Sequence, residues 1–478
     1  MDAGTNDGTI SSAVFITATE PEPRKYGKPV VIGGILDHLC ERLGPENVHL
    51  ILIGRADIQR PDVPYQRHVL GKPGTVEQAT SVLANVVLPP RFRPAGFGQN
   101  AGEHSGGRYR HPLQEAVLHS AALGTRIFAK VNELEADLEI WDTVRMGQYV
   151  LERGETARDR SALWPTAATA GHQVKRRILY ADDLFSERYD AMLKEEGGSG
   201  NPGGEFAKLL PGPAKKLLAN PKVHRPLLRL ERDLVAASET RQPEYFDGTY
   251  LISPEETARL QAKVPGASIG TLPPLLREPN SSRVRHYTGA PEFTFIGGFD
   301  YAPNRDGLDW FLQNCLGPVR QVLPNVAVNV VGPGTDAGLP SGEAWGGAVR
   351  FLGWVDDLDT VLNGSAALLS PLRTGSGVKI KVLEALARAL PVVGTRAGVQ
   401  GIEGAESSGL LIGETPEELA SAMLRATDPI RNQQLSAAAR TAWDTRFSPP
   451  VVRRRYDEIF GLARAIPPET RPIQLPRL

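Results

Sequence analysis

A glycine-rich turn in the C-terminal half of the chain has the residue types that bind phosphates. Residues 368–403 have the pattern of a buried strand, the turn, a helix and a second buried strand. The turn contains Gly375, Ser376 and Gly377, which would open the helix. Unpaired backbone N–H groups and the positive end of the helix would then meet at one point. This arrangement favours an anion such as a pyrophosphate.

Two charged residues follow the turn. Lys381 and Glu384 are three positions apart, so they share a face of the predicted helix. Lys381, nearer the N-terminus of the helix, could meet a phosphate, and Glu384 could accept hydrogen bonds from ribose hydroxyls. The alternative is a surface helix that starts at a glycine and carries an ordinary i, i+3 ion pair. The spacing alone leaves both interpretations open.

Carboxylates end two predicted strands in the N-terminal half. Asp142 ends the run LEIWD, and Asp182 and Asp183 follow the run RRILYA. Ligands of open α/β sheets bind outside the carboxyl ends of the strands, so these aspartates stand where chemistry is expected. The alternatives are a solvated loop acid at Asp182, a helix cap at Asp183 and an internal ion pair between Asp142 and Arg145.

The elements that position these residues alternate between strand and helix along most of the chain. The predicted strands are SAVFIT, VHLILIG, LEIWD, RRILYA and YLIS, then FTFIGG, VAVNVVG, VRFLG, ALLSP and LPVVGT. This alternation predicts an α/β protein with parallel sheets of βαβ units. The predicted parts of the chain are a first Rossmann-like domain over 10–275 with loop insertions near 89–112 and 194–206, a linker over 276–291, a second Rossmann-like domain over 292–447, a helix over 448–465 that packs back on the first domain, and a tail over 466–478.

Length and composition exclude several classes of protein. A chain of 478 residues predicts two or three domains, and a net charge of -1 gives no sign of a nucleic-acid partner. Cys40 and Cys315 form neither a disulfide framework nor a metal-ligand cluster, so we expect a cytoplasmic protein without a metal. The polar, acidic N-terminus does not resemble a signal peptide, and no run reaches the roughly 18 apolar residues of a membrane span.

The region around the predicted helix resembles the signature of the group-one (family four) glycosyltransferases of the GT-B fold. Their pattern has two glutamates separated by seven residues and then EAxAxGxPVV. EALA from Glu384 and LPVV from Leu390 match its second half, and the resemblance covers roughly residues 293–447. Further matches are FIGG from Phe295, VVGPG from Val330 and FLGWV from Phe351. The resemblance implies two Rossmann-like domains facing a cleft, with a sugar transferred from a nucleotide-diphosphate donor to an acceptor hydroxyl and no cofactor.

This resemblance also implies donor-binding roles for individual residues. The residues assigned to the donor are Gly375, Ser376, Gly377 and Val378 at the phosphates, Glu384 at the ribose, and Trp354 and Val355 near the base. The first glutamate of the family pattern falls at Ser376. The family's usual Arg and Lys after the first strand are missing from the loop that contains Asn304, which we group with the donor site. Lys381, with Lys379 or Arg305 as further candidates, must therefore neutralise the phosphates. This loop together with GSGxKxKxLEA resembles a subgroup associated with bacterial exopolysaccharide assembly.

In the N-terminal half, the resemblance points to a base and to an acceptor side. Asp182 stands where many family members carry a histidine that faces the donor sugar. The resemblance points to retention of the anomeric configuration, which needs no base, whereas an aspartate can act as the base that inversion needs. We predict Asp182 as a general base for the acceptor hydroxyl, with Asp142 as the second candidate. The loop around Gly27 resembles the glycine loop with which these domains face their substrates. The predicted acceptor-side residues are Gly27, Lys28, Gly33 and Arg145.

The partners implied are a nucleotide sugar and a carbohydrate or lipid-linked acceptor, with no nucleic acid. Basic residues alternate with leucines between residues 215 and 234, a pattern that suits peripheral contact with an anionic membrane. The alternative is the solvated face of a core-packed helix.

Three other functions stay open. A dehydrogenase would need G-x-G-x-x-G, whereas the third glycine of the best match, Gly338, falls one place late. A sugar-nucleotide epimerase of the same fold would need no second substrate. An inactive nucleotide-sugar-binding protein would fit the change at Ser376. Fold analogy does not choose among them.

Overall fold

The structure is a computed structural model, and it describes residues 9–24, 27–54, 63–78, 81, 111–154, 156–157, 174–194, 221–279, 285, 287–375 and 377–462. The predicted insertions near 89–112 and 194–206 and the tail over 466–478 lie largely or wholly outside these residues, as does Ser376. Of the predicted linker, the description covers 276–279, 285 and 287–291.

A seven-stranded parallel sheet forms the first domain. Its strands are β1 (Ala13–Thr17), β2 (Val48–Gly54), β3 (Gln66–Gly71), β4 (Leu138–Asp142), β5 (Arg176–Asp182), β6 (Gly248–Leu251) and β7 (Ile269–Thr271). The order in the sheet is β3-β2-β1-β4-β5-β6-β7, and every neighbouring pair is parallel. Its helices are α1 (Lys28–Leu43), α2 (Leu113–Ala116), α3 (Ala121–Leu134), α4 (Thr143–Arg153), α5 (Phe185–Lys194), α6 (Pro221–Arg241) and α7 (Pro254–Lys263).

A six-stranded parallel sheet forms the second domain. Its strands are β8 (Glu292–Ile296), β9 (Ala327–Val331), β10 (Val349–Gly353), β11 (Ala367–Ser370), β12 (Val392–Gly394) and β13 (Leu410–Ile412). Their order is β10-β9-β8-β11-β12-β13, which repeats the order of the first six strands of the other sheet. The helices of this half are α8 (Ala302–Asn314), α9 (Leu316–Val322), α10 (Pro340–Glu343), α11 (Asp359–Leu362), α12 (Ile380–Ala387), α13 (Pro416–Thr427), α14 (Pro429–Arg446) and α15 (Pro449–Phe460).

The prediction of an α/β protein with two Rossmann-like domains is confirmed. The central strands β1 and β4 are buried along their whole length, since helices cover both faces of each sheet. In both domains the chain reverses its direction of winding between two adjacent central strands, β1 and β4 in one and β8 and β11 in the other. A crevice opens at such a reversal, outside the carboxyl ends of the strands. The fold therefore predicts two adjoining ligand sites, one for each sheet.

The last helix, α15, returns to the first domain. Val452, Tyr456 and Phe460 are buried in the same apolar cluster as Phe15 of β1. The Tyr456 hydroxyl also donates a hydrogen bond to the carbonyl of Pro273, at 2.9 Å. The periodic apolar face of this helix is thus used to hold the C-terminus against the first sheet.

The basic segment singled out in the sequence falls partly on α6. Leu228 and Val235 of α6 are buried, whereas Arg225 and Arg229 are exposed. Arg232 forms ion pairs with carboxylates of the first domain. The helix is therefore packed on one side and solvated on the other. Among the described residues, no helix is both long enough and apolar enough to cross a membrane.

Candidate active site

A lysine and two aspartates from three elements meet at the carboxyl edge of the first sheet. Lys28 is the first residue of α1, and its Nζ lies 2.7 Å from Asp142 Oδ1 and 3.6 Å from Asp182 Oδ2. Thr17, the last residue of β1, donates a hydrogen bond from Oγ1 to Asp142 Oδ2 at 2.6 Å. The structure thus brings together both predicted catalytic aspartates and the predicted acceptor-side lysine.

Asp182 has the properties of a base at neutral pH. Burial raises its pKa to about 6, against the lowering effect of Lys28, and the negative charges of Asp183 and Asp142 add to the increase. The Tyr180 hydroxyl donates a hydrogen bond to Asp182 Oδ1 at 2.9 Å, which fixes the carboxylate. A carboxylate with this pKa is ionised at neutral pH and is more basic than an ordinary aspartate.

The backbone at Asp182 is strained. Its φ is 70°, in the left-handed region, and the pairing of β5 with β6 shifts register between Tyr180 and Asp182. Thr143, the residue that follows the neighbouring strand β4, has a φ of 62°. Each such residue costs about 1–3 kcal/mol, and strain of this kind concentrates at functional sites. Two adjacent strand ends are therefore turned out of regular geometry beside Lys28.

The remaining acceptor-side residues have different surroundings. Gly27 precedes α1 with a φ of 63°, a conformation that favours glycine. Gly33 packs against the side chain of Arg24. A Cβ at this position would meet that side chain at 2.3 Å, so the glycine allows the close packing. Arg145 donates to Gln114 Oε1 at 3.4 Å and lies over the ring of Phe185. Asp142 pairs with Lys28 rather than with Arg145.

In the second domain, the glycine turn precedes the helix instead of opening it. Gly375 and Gly377 have φ values of 129° and 71°, and α12 begins three residues later, at Ile380. The prediction that the glycines start the helix is therefore wrong, because neither has helical backbone geometry. The first helical turn contains Lys381, while the turn itself presents the backbone N–H of Gly377.

Lys381 is held beside the first strand of the second sheet. Its Nζ donates to Asn304 Oδ1 at 2.9 Å and lies 4.4 Å from the ring centroid of Phe295 in β8. Asn304 in turn donates to the carbonyl of Gly298, at 3.1 Å. Burial, with a contribution from Lys379, lowers the pKa of Lys381 to about 7. Its contacts in the described part of the chain include no carboxylate, an environment that favours binding of an anion.

Lys379 has different neighbours from Lys381. Its Nζ donates to the carbonyl of Gly377 at 2.7 Å. Burial lowers its pKa to about 8, against the raising effects of Asp183 and Glu256. Lys379 thus lies close to carboxylates of the first domain, whereas Lys381 contacts the Asn304 amide and the Phe295 ring of its own domain.

Glu384 forms an ion pair one turn further along α12. Arg388 donates to its Oε2, and Arg388 also pairs with Asp359. The predicted alternative of an i, i+3 pair with Lys381 is wrong, since Lys381 is turned to Asn304. In the described part of the chain Arg388 is the one partner of the Glu384 carboxylate, which remains 28% exposed. Its second oxygen has access to a ligand.

The other predicted donor residues lie on the surface and between the domains. Trp354, after β10, is 47% exposed, and its Nε1 donates to Asp356 Oδ1 at 2.8 Å. Val355 is half-buried beside it. Val378 packs against two buried apolar clusters, one in the first domain that contains Ile140 and one in the second that contains Leu383. Its side chain therefore helps to join the domains.

A carboxylate of the first domain reaches the glycine turn of the second. Glu256 of α7 is buried, and its Oε1 accepts a hydrogen bond from the backbone N of Gly377 at 3.2 Å. Its Oε2 accepts from the backbone N of Leu184 at 3.3 Å. Burial raises its pKa to about 8. The turn predicted to bind phosphate therefore directly contacts the loop that follows Asp182.

The comparison with protein families agrees with this geometry. Residues 290–428 match the family described as "Glycosyl transferases group 1". The similarity to this family covers most of the second domain. The match begins just before β8 and ends after α13, so it includes the glycine turn, Lys381 and Glu384. No curated protein matches the chain.

Solved structures of similar shape share the GT-B fold. A sucrose-phosphate synthase from Thermosynechococcus elongatus aligns with a TM-score of 0.60 and 14% identity, over 94% of this chain and 98% of that one. Anabaena HepE in complex with UDP gives 0.56 and 10%, over 94% and 99%. A variant of S. aureus TarM in complex with fondaparinux, alpha-GlcNAc-glycerol and UDP gives 0.58 and 10%, over 94% and 99%. At these identities the likeness establishes the fold, and the GT-B prediction is confirmed.

The sequence analysis did not identify Glu256 as a site residue. The segment Ser253-Pro254-Glu255-Glu256 has the pattern of a helix N-terminus, and Ser253 Oγ does accept from the Glu256 backbone N at 3.4 Å. A glutamate at this position normally turns back to the cap residue. Here its side chain points to the other domain instead, and Gly377 lies 121 residues away in sequence. Local pattern carried no signal for that contact.

Proposed function

We propose that the protein transfers a sugar from a nucleotide-diphosphate sugar to an acceptor hydroxyl in the cleft between the two sheets. The observation that carries the proposal is the contact between the glycine turn of the second domain and the carboxylates of the first domain. A Cβ at Gly377 would lie 3.6 Å from Asp183 Cβ, and the Gly377 N–H bonds to Glu256. The anion-binding turn of one domain thus adjoins the buried carboxylates of the other, which is what transfer from a phosphate leaving group requires.

In the proposed complex the second domain holds the donor. The diphosphate would lie at the glycine turn, with Lys381 supplying the positive charge. Lys381 is desolvated, so its charge acts in a medium of low polarity and its attraction for a phosphate is strong. The exposed carboxylate oxygen of Glu384 would accept hydrogen bonds from the ribose, and the segment around Trp354 would contact the base. The UDP bound by HepE and TarM supports testing a uridine nucleotide first.

The first domain would activate the acceptor. Asp182 takes the proton of the acceptor hydroxyl, and the acceptor oxygen forms a bond to the anomeric carbon. The bond from that carbon to the phosphate oxygen breaks, and the nucleoside diphosphate leaves with the electron pair. Lys28 contacts both Asp142 and Asp182, and its positive charge lowers the pKa of Asp182 against the effect of burial. This sequence inverts the anomeric configuration, whereas a retaining transferase would pass the proton to the leaving phosphate.

The acceptor we propose is a carbohydrate or a lipid-linked carbohydrate, in polysaccharide or glycoconjugate synthesis. The alpha-GlcNAc-glycerol in the TarM complex supports a carbohydrate acceptor. The exposed arginines of α6 support contact with an anionic surface, as a lipid-linked acceptor would require.

A donor screen by thermal shift, followed by turnover, tests the proposal. A nucleotide-diphosphate sugar that binds the folded protein should raise its melting temperature. At a donor concentration of 100 times Kd the stabilisation is about 2.7 kcal/mol. The donor that does so should release its nucleoside diphosphate faster in the presence of an acceptor. Conversion of the donor to its epimer without release would identify an epimerase. Binding without turnover across a panel of acceptors would identify an inactive binding protein.

A further inference from the structure

Two histidines and a glutamate converge in the first domain, away from the cleft. His111 lies just before α2, His119 just before α3, and Glu152 near the end of α4. One ligand atom from each lies within 4.8 Å of the others, and this is the one such group of three among the described residues. All three side chains are largely buried, with exposed fractions of 9%, 19% and 6%.

We propose that this cluster is a zinc site with two imidazoles and one carboxylate as protein ligands and a water in the fourth position. His111 Nε2 lies 3.3 Å from Glu152 Oε1, and His119 Nε2 forms a hydrogen bond to the same oxygen. Bonds of about 2.0–2.1 Å place neighbouring ligands of a tetrahedral ion about 3.3 Å apart. The distance from His111 Nε2 to this oxygen therefore matches the spacing that an ion needs, whereas His119 Nε2 lies closer to the oxygen, so an ion would bind in place of that hydrogen bond.

The outer contacts of the histidines also fit a metal site. His111 Nδ1 lies 3.2 Å from Glu115 Oε2, and His119 Nδ1 lies 3.5 Å from Ser81 Oγ. Histidines that bind a metal through one nitrogen usually hydrogen-bond through the other to a carboxylate or another polar group, which fixes the ring. Glu115 is itself held by hydrogen bonds from Ser238 and Gln242. The Glu115 carboxylate that faces the imidazole of His111 is thus buried and held in place.

A buried oxygen supplies the second observation. Glu152 Oε2 has no hydrogen-bond partner among the described atoms, although the side chain is almost fully buried. Buried carboxylate oxygens are normally satisfied, and an unsatisfied one calls for a ligand or water. A metal bound by this carboxylate would satisfy it, and imidazole and carboxylate together are ligands that zinc accepts.

The place of the cluster in the fold favours a structural role for the ion. Glu152 lies ten residues along from Asp142, which corresponds to about 15 Å along α4. The cluster is thus remote from the proposed catalytic carboxylates. An ion here would tie the segments that enter α2 and α3 to the end of α4.

Metal content of the full chain tests the proposal. The protein, freed of any histidine tag and dialysed against a chelator, is titrated with Zn²⁺ alone, and bound zinc is counted by mass spectrometry. We expect one Zn²⁺ per chain and a rise in melting temperature on binding. Replacement of Zn²⁺ by Co²⁺ should give the visible spectrum of a tetrahedral site. Wild-type protein that binds no zinc would overturn the proposal, and the cluster would then be a buried ion-pair network.

Variants assign the ligands. Glu152→Gln and His119→Gln should each abolish stoichiometric binding, and Glu115→Gln should weaken it about 10–100-fold, as loss of an outer partner does. The matched control is His68→Gln, in a second histidine pair in which His68 Nε2 lies 3.3 Å from His49 Nδ1. The control should bind zinc as the wild type does. Equal loss in the control, or binding that survives Glu152→Gln and His119→Gln, would contradict the assignment.

Discussion

Replacing Asp182 by asparagine should lower kcat by about 10²–10⁴-fold, the usual contribution of a general base, and leave donor affinity nearly unchanged. The substitution keeps the size of the side chain and an acceptor for the Tyr180 hydroxyl, which lies 2.9 Å away. It removes a carboxylate whose pKa burial raises to about 6. The loss should therefore appear in the chemical step.

The pH dependence of the wild type gives a second measure of the same base. Asp182 must be deprotonated to act, and burial raises its pKa to about 6. Activity should therefore fall as the pH drops through about 6, by about tenfold for each further unit. An ordinary aspartate would keep the enzyme active to about pH 4. Lys28→Met should move this acid limb upward by about 1–3 units, because it removes a cation 3.6 Å from the carboxylate.

The assay is nucleoside diphosphate release with acceptor from about pH 5 to pH 9, with donor affinity measured by calorimetry. Asp142→Asn serves as the neighbouring control and Asp233→Asn, on the exposed face of α6, as the remote one. A loss of only a few-fold for Asp182→Asn, or an equal loss for Asp142→Asn, would refute the assignment. Product with retained anomeric configuration, read by NMR, would make the base unnecessary and leave Asp182 as a donor-sugar contact.

Three further predictions concern the proposed donor-binding residues Glu384 and Lys381 and the contact that Glu256 makes between the domains. Glu384→Ala should weaken donor binding about 10- to 150-fold with little change in stability, whereas the exposed Glu417→Ala should not; unchanged affinity would exclude the ribose contact. Lys381→Ala should reduce turnover more than Lys379→Ala. The donor affinity of the wild type should fall as the pH rises above about 7, because Lys381 then loses its charge. Equal effects of the two variants would count against a phosphate-binding role for Lys381. The pKa of Glu256 is about 8 in the folded protein and 4.5 when exposed, so the free energy of unfolding should decrease as the pH rises between these values, by up to about 5 kcal/mol. Denaturation of Glu256→Gln should show a flatter profile, and an unaltered one would mean that another group causes the dependence.

Sequence pattern predicted the buried strands well and the edges poorly. Ten of the thirteen strands coincide with predicted apolar runs, since a strand covered on both faces needs a nearly continuous apolar sequence. The three that were missed are β3, β7 and β13. β3 lies at an edge, and its sequence QRHVLG is half-exposed, so it lacks that apolar signal. β7 and β13 have three residues each, too few to show a period.

The sequence predicted a candidate site residue where its type and its position after a strand or a turn were enough to suggest a role. Asp182 and Lys381 were identified by their positions after a strand and after a glycine turn. Lys28 and Asn304 were also predicted as site residues, but their contacts with Asp182 and Lys381 could not be, because Lys28 lies 154 positions before Asp182 and Asn304 lies 77 before Lys381. Contacts of this kind depend on the order of strands in the sheet, which local pattern does not encode.

The proposed zinc site depends on contacts of the same kind. The expectation of no metal rested on the two cysteines and stays a prediction, which the zinc proposal opposes. It did not weigh His111 and His119, which are eight positions apart and are separated from Glu152 by α3, β4 and most of α4. Only the fold brings the ligand atoms of those three side chains within 4.8 Å of one another.

The most direct test of the account is an NMR time course of the purified protein with a nucleotide-diphosphate sugar and a carbohydrate acceptor. We predict loss of the donor anomeric signal, an equal amount of released nucleoside diphosphate, and a new glycosidic linkage of inverted configuration on an acceptor hydroxyl. Donor that binds but stays intact with every acceptor, or that is converted to an epimer without release of nucleotide, would contradict the central claim.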